Sequence, residues 1–280
     1  MKKLISLSLA LVLFVSLAVP TFAIESSYNV TTPETVTSDT PTMRKTINMN
    51  DPEEWEQMKQ RDIEEYETRL NSIDKNLAED VATFMSENYI QSQSMESIEN
   101  DDFLVDFLSA YPEYNNLNID QLASDVEILR WNPVVEIVRS YFKSNGYDLA
   151  LDLFNHSLTE DPEDATCTLT GETEGMYGHI RNLLTDDPFL GKMITFAKQS
   201  SRKETITDTS HTFEDGDLKW AIHGFTWTRT RTSYGVADFT IYDIYDFNKW
   251  KDIPGIVAGV CGTHEFDIYI NGTVKNGVIQ

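Results

Sequence analysis

Cysteine is scarce in this chain, which has 2 in 280 residues. Cys167 and Cys261 are too few for a disulfide framework, although an oxidising exterior would permit one bridge closing a long loop. Neither lies in a recognisable nucleophile motif, and a catalytic thiol also needs a base beside it. The sequence is compatible with either one disulfide or two inert thiols, and it disfavours an enzyme that depends on a thiol.

Basic residues are also few, because 22 Lys and Arg stand against 46 Asp and Glu, a formal net charge of −24. Residues 24–130 hold 24 acidic and 7 basic residues, and residues 131–280 hold 22 and 13. Such a chain repels nucleic acid and anionic lipid surfaces, which excludes nucleic acid as a partner. The acidic N-terminal half would suit Ca²⁺ binding outside a cell, but solubility alone accounts for the same composition.

The common catalytic and cofactor motifs are missing. The sequence contains no G-x-S-x-G, H-E-x-x-H, P-loop, dinucleotide fingerprint or EF-hand loop. These absences remove the standard templates for hydrolases, zinc proteases, nucleotide enzymes and calcium sensors. The sequence therefore leaves the cofactor, and any metal, unidentified.

The one long apolar run lies at the N-terminus. Lys2 and Lys3 precede the run Leu4–Val19, and small residues follow up to Ala23. This order is typical of a secretory signal peptide cleaved near Ala23. Because no cysteine follows for lipid attachment and no late apolar segment offers an anchor, we expect a secreted, extracellular bacterial protein without a membrane span.

Composition and periodicity divide the rest of the chain. A Thr- and Pro-rich stretch, too poor in large apolar groups to form a core, predicts a flexible leader. Helical periodicity dominates next, and strand alternation dominates the end, which predicts an α+β fold with an N-terminal helical region followed by a mainly antiparallel sheet packed on it. The predicted boundaries are a signal peptide at 1–23, a leader at 24–50, a helical region at 51–200 and a β region at 201–280.

Helix signals are clearest in the middle of the chain. Asp51 and Pro52 predict a helix start, because an Asp N-cap and a Pro at the first turn are both favoured there. The apolar stripe from Ile63 to Phe84 then predicts a long helix. The other predictions here are a helix opened by Asn132-Pro133 and ended by Asn145-Gly146, a helix over Tyr147–Leu158 with a packed His156, a loop over Thr159–Gly178, and a break at Asp187-Pro188.

Strand signals follow Lys203. Pairing Thr232 with Val236 across the turn Ser233-Tyr234-Gly235 gives partner numbers that sum to 468, so Phe225 would face Asp243. The predicted strands are Thr205–Phe213, Leu218–Ile222 continuing through Phe225–Thr230 after a bulge at His223-Gly224, and Val236–Phe247. Glu265–Val274 is predicted to be a last strand or a hairpin with its turn at Asn271-Gly272.

The candidate catalytic residues are His223, Asp243 and Asp246. Asp243 shares its alternation face with Phe239 and Ile241, and a carboxylate on an apolar face needs a partner or a special role. An imidazole beside a carboxylate can shuttle a proton or hold a divalent ion, with His211 as a further member. The alternative is structural: the two Asp side chains bond nearby amides and His223 is a satisfied histidine in the sheet.

Aromatic residues are dense near the C-terminus. They would suit a glycan-stacking platform if several were exposed and coplanar, whereas burial would make them core or cross-strand pairs. The residues in question are Trp220, Trp227, Tyr234, Tyr242, Tyr245 and Trp250.

Two stretches resemble a known but poorly characterised domain. The stretch Asp217–Phe225, followed by Asp243–Phe247, is similar to the D-L-x-x-A-[LI]-[HG] hairpin with a D-x-Y-D-F ending found in secreted bacterial proteins, including polymorphic toxin-type proteins. The resemblance covers about residues 145–275, including the helix Gly146–Leu158. It implies a shared fold and carries over no catalytic residue.

Three functions remain after these observations. The first is an extracellular binding or interaction module with a cell-wall or protein partner. The second is a small hydrolase or toxin-type effector that uses His223, Asp243 and Asp246. The third is a cell-wall or glycan-binding protein that uses the sheet aromatics.

Overall fold

The computed structural model describes residues 45–88, 103–169, 175–199, 202–222, 224–245 and 263–280, with the side chains of 208–210 left aside. The predicted signal peptide and most of the predicted leader lie outside these ranges. Among the helices within them, none combines the length and the apolar composition that a membrane crossing needs.

The sheet has seven strands in the order β1-β2-β6-β5-β4-β3, with β7 paired to β6. The two pairs β1–β2 and β2–β6 are parallel, and the other pairs are antiparallel. The strands are β1 (Thr46–Asn48), β2 (Asp164–Thr168), β3 (Glu204–Thr212), β4 (Gly224–Ser233), β5 (Val236–Tyr245), β6 (Phe266–Lys275) and β7 (Val278–Ile279).

Eight α-helices lie in the described part of the chain, most of them before the main strands. They are α1 (Pro52–Ser72), α2 (Lys75–Asn88), α3 (Phe103–Ala110), α4 (Ile119–Asn145), α5 (Asp148–Ser157), α6 (Gly175–Asp186), α7 (Pro188–Lys198) and α8 (Gly216–Ala221), with a short 3₁₀ helix at Pro112–Asn116. The α+β fold class is therefore confirmed, with helices first and strands last.

The sheet is mixed because two strands come from the N-terminal part of the chain. β1 lies inside the predicted leader, and β2 lies inside the predicted loop Thr159–Gly178. β2 buries only Ala165 and Cys167 on its helix side, so its apolar pattern is too short to stand out. β2 pairs with β6 and β1 pairs with β2, so the two strands join the helical half to the sheet.

Local signals placed most helix ends correctly. Asp51 accepts from the amides of Glu53 and Glu54 at 3.0 and 3.1 Å, as an N-cap does. Gly146 ends α4 with φ 70°, a conformation that costs glycine little. The predicted long helix is instead divided, because Asp74 caps a new helix through the amides of Asn76 and Leu77.

Two further predictions are wrong. Pro133 lies inside α4, where a proline removes one helical hydrogen bond, and the helix continues because buried residues on both sides of it pack into the core. The stretch Leu218–Ile222 belongs to the helix α8 and its C-terminal cap, not to a strand. A short apolar segment such as Leu218–Ile222 is compatible with either a helix or a strand. The packing of α8 on α5 stabilises the helix here.

The register of the β4–β5 hairpin is confirmed over most of its length. Thr226 pairs with Tyr242 and Trp227 pairs with Ile241, so the partner numbers sum to 468. A register shift lies beside the turn, where Ser233 pairs with Val236. The predicted bulge falls on His223, which lies outside the described residues. Ile222 lies outside the strand, at the C-terminal cap of α8.

One of the two Asn-Gly pairs in the last strands does not turn the chain. β6 continues through Asn271 and Gly272, and the turn falls at Asn276 (φ 54°) and Gly277 (φ 88°). Gly272 is required in the strand because the ring of Phe239 covers it: a Cβ there would lie 2.6 Å from Phe239 Cζ.

Replacing Gly272 by alanine is expected to lower the free energy of unfolding by about 1–3 kcal/mol, since a side chain forced into a packed site displaces its neighbours. Urea unfolding of Gly272→Ala checks this value. The double variant Gly272→Ala/Phe239→Leu should recover part of the loss, because the smaller side chain opens the space. Equal losses in the single and double variants would contradict the steric explanation.

The helices pack on one face of the sheet. α7 contacts β4, β5 and β6, and α1 contacts β1. Strand residues that point to these helices are buried, for example Phe239, Ile241 and Ile268. A second apolar cluster joins α2, α3 and α4 around Phe84 and Phe107. The alternate strand residues form the opposite face, called the outer face below.

Candidate functional site

The structure describes one of the three predicted catalytic residues. His223 and Asp246 lie outside the described residues, so whether they approach Asp243 stays a prediction. Asp243 is half-buried on the helix side of β5, opposite Ile268, on the same face as Phe239 and Ile241 as the alternation indicated.

His211, the further member considered for that site, is held by α7. Its Nδ1 accepts from Lys192 Nζ at 2.7 Å, and its Nε2 lies 3.6 Å from Asp187 Oδ1. Burial and the Lys192 ammonium lower the pKa of His211. His211 is thus a neutral imidazole packed among aromatic rings, which fits a structural role.

Three of the six aromatic residues considered for a glycan platform are core residues. Trp220, Trp227 and Tyr245 are buried, and Tyr234 is exposed at the hairpin turn. Trp250 lies outside the described residues. A platform built on Trp220 and Trp227 is therefore excluded, and of the five residues of this set that the structure describes, Tyr242 alone lies on the outer face of a strand.

Cys167 is a free, buried thiol on β2. Burial raises its pKa to about 12, so it remains protonated and unreactive at neutral pH. Cys261 lies outside the described residues. Within the described ranges, no group of three His, Cys, Asp or Glu side chains is placed to hold a metal ion.

The outer face carries rows of polar side chains that run across the strands. In an antiparallel or parallel sheet, paired residues point to the same face, so the register defines each row. The tyrosine row consists of Asn48, Thr166, Tyr269, Tyr242 and Thr226, and the threonine row consists of Thr168, Asn271, Thr240, Thr228 and Thr207. Every member is half-buried or exposed.

Hydrogen bonds between strands order these side chains. Thr240 Oγ1 donates to Asn271 Oδ1 at 2.7 Å, and the hydroxyls of Thr207 and Thr228 lie 3.3 Å apart. Each row crosses five strands, which corresponds to about 19 Å at the usual spacing of about 4.8 Å. The outer face thus offers a broad surface of hydroxyl and amide groups in fixed positions.

Two tyrosine rings lie side by side at one end of this surface. The ring centroids of Tyr242 and Tyr269 are 5.0 Å apart, and the two ring planes are inclined to each other by 33°. Both hydroxyls donate to the carboxylate of Asp267, each at 3.2 Å. Burial and the Asp267 charge raise the pKa of Tyr242 to about 12, so the hydroxyl remains a donor at neutral pH.

The charge of the outer face is negative. Among the strand residues whose side chains point outward by register and burial, Asp164, Asp238 and Asp267 carry carboxylates, and Lys275 carries an ammonium at the edge near β7. The surface therefore combines hydroxyls, amides, two aromatic rings and a negative potential.

A second polar site lies at the start of α5. His179 Nε2 donates to Asp217 Oδ2 at 2.8 Å, and Asp217 also accepts from the amides of Leu149 and Ala150 at 2.9 and 2.7 Å. The bond to Asp217 raises the pKa of His179, while partial burial opposes this. Asp217 is buried, whereas His179 is about one-third exposed at its side chain.

Asp152 adds a perturbed carboxylate near this site. Burial raises its pKa to about 6, against the opposing effects of Lys59 and of the Trp55 indole, which donates at 3.1 Å. The charge of Asp152 also contributes to the raised pKa of His179, and shifted titratable groups of this kind are found at acid–base sites. The sequence did not indicate this site, because its members come from four separate segments.

A scan of protein-family models and searches of curated proteins and of solved structures found no match to this chain. The outer face had one signal in the sequence: Thr226, Thr228, Thr230 and Thr232 alternate along β4, so all four point outward.

Proposed function

We propose that this protein is a secreted extracellular binding module, and that its outer face binds a polysaccharide of a cell wall or matrix. The ordered rows of outer-face hydroxyl and amide groups beside the Tyr242–Tyr269 pair carry the proposal. Secretion rests on the signal-peptide sequence, and the resemblance to domains of secreted bacterial proteins is consistent with it.

The composition of the outer face favours a polysaccharide over a protein. The buried centres of protein interfaces are apolar and rich in aromatic residues, Met and Arg. The two rows contain threonine, asparagine and tyrosine, and the large exposed apolar residue beside them on β5 is Ile244. Sugars present hydroxyl groups for hydrogen bonds and C–H faces for aromatic rings, which matches these side chains.

We expect Tyr242→Ala and Tyr269→Ala each to weaken binding to insoluble cell wall about twofold to tenfold, since an aromatic contact is worth about 0.5–1.5 kcal/mol beyond its area. Sedimentation of the purified protein with the polymer measures the affinity. Tyr234→Ala is the matched control, because Tyr234 is 64% exposed and lies outside the rows. Circular dichroism must show that all variants are folded.

Equal sedimentation of the parent and of the folded Tyr242→Ala and Tyr269→Ala proteins would contradict the proposal. So would an absence of binding to every polysaccharide tested. Weakening by Tyr234→Ala to the same extent would show that the effect is not specific to the outer face.

A hydrolase or toxin-type effector is the second candidate, and the His179–Asp217 pair with Asp152 is the observation that favours it. His223, Asp243 and Asp246 stay part of this alternative as predicted residues. An enzyme would release soluble fragments from the polymer that it binds, and His179→Gln or His223→Ala would stop the release without preventing sedimentation. Binding without any release in the parent would contradict an enzyme acting on that polymer.

A further inference from the structure

We infer that the polysaccharide bound by the outer face carries free amino groups, as a polymer of unacetylated amino sugars does. This inference rests on the proposed function and names its ligand class. It is carried by the charge of the outer face and by the arrangement of Asp267 with its two tyrosines.

The described strands carry an excess of negative charge on the outer face. Their outward side chains include three carboxylates, of Asp164, Asp238 and Asp267, and one ammonium, of Lys275. The whole chain has a formal charge of −24, so an anionic polymer is repelled at long range as well as on contact. A polymer with protonated amines is attracted by both effects, whereas a neutral polymer gains nothing from them.

Asp267 lies where such an amine would be recognised. Its carboxylate accepts from the hydroxyls of Tyr242 and Tyr269, and its main-chain amide donates to Asp164 Oδ1 at 3.0 Å. An ionised carboxylate has about four acceptor positions, so two remain after the tyrosine bonds. The two hydroxyl bonds hold the carboxylate in one orientation, which directs its remaining acceptor positions toward an ammonium group.

Asp238 extends the negative charge to the other side of the threonine row. It accepts from Thr273 Oγ1 at 2.7 Å, which orients it on the outer face. Asp238 and Asp267 lie on neighbouring strands, paired with Thr273 and Ile244 respectively. A bound chain that crosses the strands therefore meets oriented carboxylates on both sides of the neutral threonine row.

The test compares one backbone in two chemical forms. Sedimentation is measured with chitosan, which has free amines, and with chitin, its acetylated counterpart, at pH 6 and at low and high salt. Polygalacturonate serves as the anionic polymer. We expect the parent to bind chitosan at least about tenfold more tightly than chitin, with a preference that falls as salt screens the charges.

The variants separate the outer face from the general charge of the protein. Asp238→Asn/Asp267→Asn should reduce the preference for chitosan about threefold to tenfold and leave chitin binding nearly unchanged. Asp120→Asn removes an exposed carboxylate at the start of α4 and is the matched control, expected to keep the full preference. An equal reduction by Asp120→Asn would mean attraction by net charge only, and would overturn the inference.

The remaining outcomes divide the two proposals. Equal binding to chitin and chitosan, weakened by Tyr242→Ala, would overturn the amino-group inference and support the proposed function. Tighter binding to polygalacturonate would also overturn the inference. No binding to any of the three polymers or to cell wall would contradict both.

Discussion

Asp62→Ala is expected to lower the free energy of unfolding by about 3–5 kcal/mol, the usual cost of removing one member of a buried charge pair. The side chains of Asp62 and His156 are both completely buried. Asp62 Oδ2 lies 2.8 Å from His156 Nδ1, and His156 Nε2 lies 2.8 Å from the Glu163 carbonyl oxygen. The contacts join α1, α5 and the segment before β2.

The hydrogen bonds explain what the loss of Asp62 removes. The Glu163 carbonyl oxygen only accepts, so His156 Nε2 donates to it, and Nδ1 faces the Asp62 carboxyl group. Arg61 also donates to Asp62 Oδ1 at 3.0 and 3.1 Å. Without the Asp62 side chain, the buried Nδ1 and the Arg61 guanidinium both lose this partner.

Two further variants make the result interpretable. Asp62→Asn should lose much less stability, because its amide can donate to a neutral His156 and its oxygen can accept from Arg61. Glu67→Ala removes an exposed carboxylate from the same helix and should change stability by less than about 0.5 kcal/mol. Urea unfolding at neutral pH gives all three values, and equal stabilities of Asp62→Ala and Glu67→Ala would refute the expectation.

Asp217→Ala is expected to cost about 2–4 kcal/mol, because it leaves the first amides of α5 without their acceptor. Tyr147 is the N-cap residue of α5 and its side chain makes no capping bond. Asp217, 68 residues from Leu149, supplies the missing acceptor. Amide hydrogen exchange of Leu149 and Ala150 should become faster in this variant.

Asp215→Ala is the matched control for that experiment. Asp215 is exposed, stands two residues before Asp217, and makes no side-chain capping bond. Its removal should leave both the unfolding free energy and the exchange of Leu149 nearly unchanged. If the Asp217→Ala protein is as stable as the Asp215→Ala protein, the capping role is wrong.

The bond between Asp217 and His179 also predicts a pH dependence. Asp217 raises the pKa of His179 in the folded protein, so the folded state holds the imidazole proton more tightly than the unfolded state does. The stabilisation is complete below the pKa of a free imidazole, about 6.5, and is lost as the pH rises through the raised value. Solvent screens it, since His179 is partly exposed.

Unfolding of the parent and of His179→Gln between pH 5 and pH 9 measures this dependence. The difference in stability between the two proteins should be greatest at low pH and should shrink as the pH rises. In the Asp217→Ala background the same comparison should be nearly independent of pH. A difference that grows with pH would contradict the assigned sign.

The predicted catalytic residues His223, Asp243 and Asp246 were all chosen from one hairpin and its flanking residues. The alternation correctly placed Asp243 on the apolar face of β5, but its expected partners His223 and Asp246 lie outside the described residues. The polar site that the structure does describe is built from His179, Asp152 and Asp217, which are separated by dozens of residues. No spacing rule relates such residues, so they could not be predicted together.

The sequence by itself determined the features that depend on neighbouring residues. Asp51 begins α1, Gly146 ends α4, and the partner sum of 468 describes the β4–β5 hairpin, because caps, positive φ angles and short turns are local. Only the tertiary structure decided that Leu218 lies in a helix, that β2 joins the sheet and that Gly272 lies under Phe239. These outcomes, like the outer face itself, depend on packing and strand pairing between distant segments. The energies of these tertiary contacts exceed the weak local preferences for helix or strand.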